Sequence, residues 1–253
     1  KIGNSFSHVV GYEYDNINNL TALVETINGT SYTTSYAYDD DNRVISVANA
    51  DVNEAYTYDE FGRLKDKTTK RGTSNVLTET LAYRDITVTT DNGTVNTTTG
   101  QVSKLEINTA NTTSVEDDIV FEYTYDANGN ILTAKTTTIT NGTTVEKTTK
   151  YTYDKANQLI REDNQAANKT WTWTYDNAGN ILSRKTYAYT TGTLGSATAT
   201  DTYTYGNSQW GDLLTSYNGR SFSYDGIGNL TYDGVCPLAI GDFALMSYGQ
   251  TVC

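Results

Sequence analysis

The chain is short of the residues that most small folds lean on. One proline, one methionine, one histidine and two cysteines occur in 253 residues, and both cysteines come after residue 235. A disulfide framework is therefore excluded for the body of the chain. No apolar run approaches the roughly 20 residues needed to span a bilayer. Basic residues are scarce as well: 18 stand against 30 acidic ones, a net charge of -12 and a pI near 4.4. Nucleic acid is a poor partner for such a chain, because binding phosphates takes a clustered basic surface. The densest basic stretch, Lys65, Lys67, Lys70 and Arg71, reads as a solvated strand edge that discourages aggregation.

Catalytic patterns are missing too. His8 has no motif around it, and no nucleophile elbow, phosphate loop or zinc motif occurs. The acidic groups Asp39-Asp40-Asp41 and Asp117-Asp118 read as hydrated surface, so no catalytic, cofactor or metal residue is assigned. The loops at Asp39-Asp40-Asp41-Asn42 and Asp126-Ala127-Asn128-Gly129-Asn130 offer hard oxygens suited to calcium. They lack the downstream bidentate glutamate of a full calcium loop, and turn chemistry alone accounts for the second.

What the chain has in quantity is tyrosine, threonine and turn residues, and they recur. Tyrosine runs into a turn at Tyr14-Asp15, Tyr38-Asp39, Tyr58-Asp59, Tyr125-Asp126, Tyr153-Asp154, Tyr175-Asp176, Tyr205-Gly206 and Tyr224-Asp225, with an aromatic two residues earlier and an aliphatic residue after the turn. The intervals are 24, 20, 67, 28, 22, 30 and 19 residues, and repetition on this scale marks a repeat architecture. The long interval has room for about two degenerate copies at such repeat lengths, one of them marked by Tyr83.

The turn has a mechanism. Asp at the first position of a type I turn bonds its own backbone, and Gly at the last accepts positive φ without steric cost. Gly62, Gly129, Gly179 and Gly228 fit that reading. The loops after Tyr38 and Tyr153 lack glycine and are expected to be less regular, although Asn tolerates the left-handed region. Asn28-Gly29, Asn92-Gly93 and Asn141-Gly142 signal two-residue hairpins at the other end of the strands. One repeat is thus two strands and two turns, with strands of about eleven residues where Thr143 to Tyr153 sets the length.

These features predict an all-β fold: a repetitive antiparallel hairpin meander of some sixteen strands, curved or spiralling because so wide a twisted sheet rarely stays flat. Neither face is conventionally oily. Apolar content gathers at the tyrosine end, where stacking of aromatic rings between neighbouring copies is expected, and one surface is expected to line a hydrated space. Residues 1–234 form the repeat sheet domain.

Residues 235–253 break the pattern as an atypical apolar tail. One reading is a plug or donor strand using Leu238, Ile240, Phe243, Leu245 and Met246; the other is a fragment end, a frameshifted open reading frame or an imperfectly known sequence. Cys236 and Cys253 would close a loop of about 15 residues if they paired in an oxidising compartment, and free thiols or pairing between chains stay open as alternatives. Lys1 falls inside repeat-like sequence, and the chain is expected to be a piece of something longer.

The units YEYDNINNLTAL, YTYDEFGRLKD, YTYDANGNILTA, YTYDKANQLIRE, WTYDNAGNILSR and FSYDGIGNLTYD closely resemble the YD repeats of Rhs proteins, a group that includes wall-associated bacterial proteins, Tc-toxin shells and teneurins. The resemblance covers residues 10 to 234. It implies a β-shell segment, secreted or displayed at the cell surface, that often encloses a toxin polypeptide. The family's Asp-Pro self-cleavage motif has no counterpart, because the only proline, Pro237, follows Cys236.

Three roles follow. The first is a non-catalytic structural scaffold enclosing or displaying a passenger polypeptide. The second is a filament built from copies of the chain through open sheet edges. The third is a cell-surface glycan-binding module using Trp171, Trp173 and Trp210.

Overall fold

The computed structural model describes residues 6–91, 93–109, 118–140 and 142–234. Residues 235–253 with Cys236 and Cys253, together with Asn92, Asn141 and Asp117, lie outside the described residues. Threonine, tyrosine and valine fill the strands, as a pleated, half-exposed surface favours, and the described residues contain no helix.

The strands in chain order begin with β1 (His8–Tyr14), β2 (Leu20–Ile27), β3 (Thr30–Tyr38), β4 (Val44–Ala48), β5 (Val52–Tyr58) and β6 (Leu64–Arg71). Next come β7 (Ser74–Thr90), β8 (Gly93–Asn108), β9 (Ile119–Tyr125), β10 (Ile131–Thr140), β11 (Thr143–Tyr153) and β12 (Leu159–Asn164). The last are β13 (Lys169–Tyr175), β14 (Ile181–Ala188), β15 (Ala199–Tyr205), β16 (Leu214–Tyr217), β17 (Arg220–Ser221), β18 (Ser223–Tyr224) and β19 (Leu230–Tyr232). β1 to β17 belong to one 17-stranded antiparallel sheet that does not close, and β18 pairs with β19. The all-β meander of hairpins expected from the repeats is what the chain forms. Eleven residues describes β11, whereas most strands are shorter and β7 and β8 are longer, at 17 and 16 residues.

The chain divides into two compact units, Lys1–Thr124 with Ala134–Lys147, and Tyr125–Thr133 with Thr148–Cys253. In the first, β1 to β9 pair each with the next, from Tyr12↔Leu23 at one end to Lys104↔Glu122 at the other. In the second, β11 to β17 do the same, with Tyr151↔Glu162 and Tyr203↔Tyr217 among the facing pairs.

Among the described residues no second layer covers the sheet. Most domains bury a sheet face against another layer, yet among the described residues the buried apolar side chains are only Ala22 and Tyr187. The basic stretch around Lys67 also departs from expectation. β6 is not a sheet edge but pairs with both β5 and β7, and the Lys67 ammonium lies between Glu54 at 2.9 Å and Glu79 at 3.6 Å. Cross-strand charge pairing accounts for its place there.

Candidate functional site

The recurring chemistry sits at the repeat turns, which are built alike. In the loop after Tyr58, the amide of Asp59 donates to the Arg63 carbonyl and the amide of Gly62 donates to the Asp59 carbonyl. Asp59 Oδ1 accepts the amides of Phe61 and Arg63, while Oδ2 accepts Arg63 Nε at 2.7 Å. This is a type I turn closed by a left-handed residue. The same amide bonds to the leading carboxylate recur at Asp15, Asp39, Asp126, Asp154, Asp176 and Asp225. In the Asp126 loop both carboxylate oxygens are occupied in this way, by two amides and by Asn130 Nδ2.

These bonds favour the ionised carboxyl. Asp126, Asp176 and Asp225 are held below the ordinary range chiefly by the side-chain amides of Asn130, Asn180 and Asn229. Asp15 and Asp39 are lowered first by the backbone amides of Asn19 and Arg43. At Asp59 desolvation works against the charge, and the bonds from Arg63 outweigh it.

The left-handed position is Gly62, Gly129, Gly179 and Gly228 in four loops, but Asn18, Asn42 and Asn157 in the others, with φ between 60° and 91° throughout. The loops after Tyr38 and Tyr153, expected to be less regular, make the same bonds as the glycine loops. Their asparagines adopt the left-handed conformation at little cost and gain a contact from the preceding repeat.

That contact follows a rule of matched size. At five junctions the residue four places after the first turn residue, which is Asp15, Asp39, Asp126, Asp154 or Gly206, reaches the left-handed residue of the next repeat. Asn19 Nδ2 donates to Asn42 Oδ1 at 3.1 Å, and Asn130 Nδ2 donates to Asn157 Oδ1 at 2.8 Å. Where the reaching side chain is longer or bulkier, the facing residue is glycine. A Cβ on Gly62 would lie 3.1 Å from Arg43 Nη1, one on Gly179 would lie 3.1 Å from Gln158 Nε2, and one on Gly228 would lie 2.8 Å from the Trp210 ring.

The tyrosines supply a second link. A one-residue irregularity in pairing precedes Tyr14, Tyr38, Tyr58, Tyr153, Tyr175, Tyr205 and Tyr224, a β-bulge at the same point of each repeat. Beyond it the tyrosine hydroxyl donates to the carbonyl of the aliphatic residue that follows the previous repeat's turn. The bonds run from Tyr38 to Leu20, Tyr58 to Val44, Tyr83 to Leu64, Tyr153 to Ile131, Tyr175 to Leu159 and Tyr224 to Leu214, at 2.6–3.0 Å. Tyr83 thus marks a degenerate repeat, as its position in the long interval suggested. Burial raises the phenol pKa of Tyr83, Tyr153, Tyr175 and Tyr224, which keeps these donors protonated.

Ring stacking between repeats, by contrast, is not how they join. Successive repeat tyrosines are two strands apart, about 10 Å at a strand spacing near 4.8 Å, beyond the 4.5–7 Å of an aromatic pair. Tyr203 and Tyr217, which face each other on adjacent strands, are the ring pair within the sheet among the described residues, at 5.1 Å. Elsewhere the rings take cations: Arg43 lies 4.8 Å over Tyr58 and Arg63 lies 4.1 Å over Tyr83.

One polar cluster was not visible in the sequence. Thr170 is fully buried, with its hydroxyl 3.0 Å from both Asp163 Oδ1 and the Thr190 carbonyl, and it accepts the Thr190 amide. Arg161 binds Asp163 and the carbonyls of Thr190 and Gly192, which ties the long β14–β15 connection to β12 and β13. Only pairing of β12 with β13, through Asp163↔Thr170, brings these residues together. His8, on an exposed strand, contacts Glu25 at 3.3 Å. Trp171 and Trp173 are half-buried, and Trp210 is exposed while lying against Gly228.

The family model described as RHS Repeat matches residues 38–74 and 153–194. These two stretches are RHS repeats. Each contains a Tyr-Asp turn with an asparagine at the left-handed position and the tyrosine that bonds back to the preceding repeat. Solved structures similar to this chain include the complex TcdB2-TccC3-Cdc42, at 15% identity over 89% of this chain and 14% of that one, with a TM-score of 0.47. TcdB2-TccC3 without its hypervariable C-terminal region aligns at 16% identity over 94% and 15%, with a TM-score of 0.47. The Tc holotoxin pore of Photorhabdus luminescens aligns at 15% identity over 89% and 14%, with a TM-score of 0.44. The chain therefore spans only 14–15% of the length of these proteins. No curated protein matches it significantly.

Proposed function

We propose that the chain is a non-catalytic structural segment of an extracellular RHS-repeat protein, whose residues 1–234 act as a scaffold that encloses or displays a passenger polypeptide. The observation that carries this reading is the repeated junction: a tyrosine hydroxyl on the preceding repeat's carbonyl, and a reaching side chain on a matched left-handed residue. Such contacts make each repeat depend on its neighbours, as in quasi-one-dimensional arrays. They spend the chain's most specific chemistry on joining repeats rather than on a convergent pocket. With little of either sheet face buried, the sheet has surface to offer a passenger.

Electron microscopy of the purified native protein tests this. Ordered polypeptide density against one face of the sheet supports the scaffold. A bare sheet that retains cell-wall glycans on an affinity column, with Trp171→Ala and Trp173→Ala abolishing retention, would replace it with the glycan-binding role.

A further inference from the structure

One repeat turn is replaced by an arm. At Tyr83, where a Tyr-Asp turn would stand, β7 runs on into a longer hairpin with β8. β6 pairs with β7 from Arg71↔Ser74 to Asp66↔Thr80, and β9 pairs with β8 from Lys104↔Glu122 to Ile107↔Ile119. From Asp85↔Thr98 to Thr90↔Gly93, β7 and β8 pair only with each other among the registers described. Residues 85–90 at about 3.3 Å each give the arm a reach of about 20 Å. Its base is fixed: Arg63 Nη1 donates to Thr98 Oγ1 at 2.8 Å and to the Thr99 carbonyl, the Arg63 guanidinium lies 4.1 Å over Tyr83, and Arg84 Nη1 donates to Gln101 Oε1 at 2.8 Å. The arm stands well inside the first compact unit, with paired strand on either side of it in sequence.

A hairpin of two strands is marginal in water and gains stability from a third. Thr87, Val88, Thr89, Val95 and Thr97 are exposed, Val88 at 40% and Val95 at 53%. The β7 side is the better template for that strand. Ile86-Thr87-Val88-Thr89-Thr90 is β-branched throughout and carries none of the charge or proline that blunts an exposed edge, whereas the β8 side holds Gly93 and Asn96, which are poor strand formers. Charge decides what the edge takes. Asp85 and Asp91 are exposed and bracket the run, neither forms an ion pair among the described residues, and no Lys or Arg occurs between Arg84 and Lys104. A second copy pairing antiparallel in the register that uses the whole run would set Asp85 opposite Asp91 at both ends. Like charges directly across a strand pair are destabilising, and the chain already carries -12.

We infer that the β7 edge of this arm docks an extended polypeptide segment of complementary charge, added antiparallel, with a basic side chain opposite each of Asp85 and Asp91 and β-branched residues between them. Main-chain bonds along β7 supply the third strand, and the two charge pairs fix its register. Six positions separate the aspartates, so the basic residues of the partner are six apart as well. The Arg63 clamp holds the arm at its base while the docked strand lies along its outer part. The inference rests on the scaffold reading of the chain and specifies the segment by which the passenger polypeptide is held.

The probe is the peptide acetyl-Lys-Val-Thr-Val-Thr-Val-Lys-amide carrying a fluorophore, titrated with the full chain at low salt and followed by anisotropy. Saturable binding is expected, weakening as salt rises. The same peptide with glutamate in place of both lysines should bind at least about tenfold more weakly, because like charges then face each other. Asp85→Lys with Asp91→Lys in one chain should reverse that preference and keep the melting temperature, since both side chains are exposed. No saturable binding, equal binding of the two peptides, or an unreversed preference in the double variant would each overturn the proposal. A dimer in sedimentation velocity that Val88→Pro abolishes would overturn it too, by assigning the arm to a second copy. Failure of the peptide to bind, with ordered density still seen against a sheet face by electron microscopy, would remove the arm's role and leave the scaffold. Peptide binding without such density would keep the arm as a strand-docking site and remove the scaffold.

Discussion

The loops Asp39–Arg43 and Asp59–Arg63 sit one repeat apart and end in the same arginine, yet one carries Asn42 and the other Gly62 at the left-handed position. Their hydrogen bonds are the same in kind and nearly the same in length. What differs is the side chain arriving from the repeat before: the short Asn19 meets Asn42, and the long Arg43 meets Gly62. The turn requires only a left-handed residue, and the neighbour decides which. An alternation that looks like drift within one repeat is pairwise matching between two.

The largest effect that would break this equivalence comes from a β-branched residue at the left-handed site. Gly62→Val and Asn42→Val should each destabilise by about 2 kcal/mol or more in urea unfolding, because positive φ is strained for such residues. Tolerance at Asn42 alone would show that the two loops are not built alike. Next, Gly228→Asn should cost about 1–2 kcal/mol, since the Trp210 ring is rigid and close, with Trp210→Ala in the same chain relieving part of the loss. Asn42→Gly keeps the conformation and removes only the Asn19 bond, so it should cost about 0.5–1 kcal/mol, and Asn19→Ala in that background should add nothing further beyond its tie to Asp15.

The smallest effects lie in pH. The turn carboxylates are lowered, so the stability they add is present above about pH 3.9 and is lost as pH falls through their folded values. The junction phenols are raised, so theirs is complete below about pH 10 and is lost as pH rises through their folded values. A thermal-melt profile should therefore fall at both extremes, and a flat acid limb would contradict the turn account.

Much of this was legible in the chain alone. Tyr-Asp-x-x-Gly marks the turns because each residue has a local duty, and Asn28-Gly29 marks a two-residue hairpin for the same reason, with φ of 50° and 85°. Tyr83 could be placed by interval although its turn has decayed. The junction was not legible, because it depends on which carbonyl a hydroxyl reaches across an intervening strand. Aromatic pairs read along one strand suggested stacking, whereas the two-strand spacing rules it out between repeats. The size rule was present in the sequence as the pairs Asn19 with Asn42, Arg43 with Gly62, Asn130 with Asn157, Gln158 with Gly179 and Trp210 with Gly228. It becomes readable only once the register shows that position four of one repeat faces position three of the next. The Arg161, Asp163 and Thr170 cluster belongs to no repeat motif and follows from strand pairing alone.

The claim that repeats are joined through tyrosine hydroxyls is tested most directly by comparing Tyr175→Phe with Tyr14→Phe in urea unfolding at a concentration where the chain is monomeric. Tyr175 donates to the Leu159 carbonyl, and Tyr14 has no such acceptor among the described residues. Removing the first hydroxyl should cost about 1 kcal/mol and removing the second close to nothing. Equal effects, or none at Tyr175, would mean that the rings alone hold the repeats together.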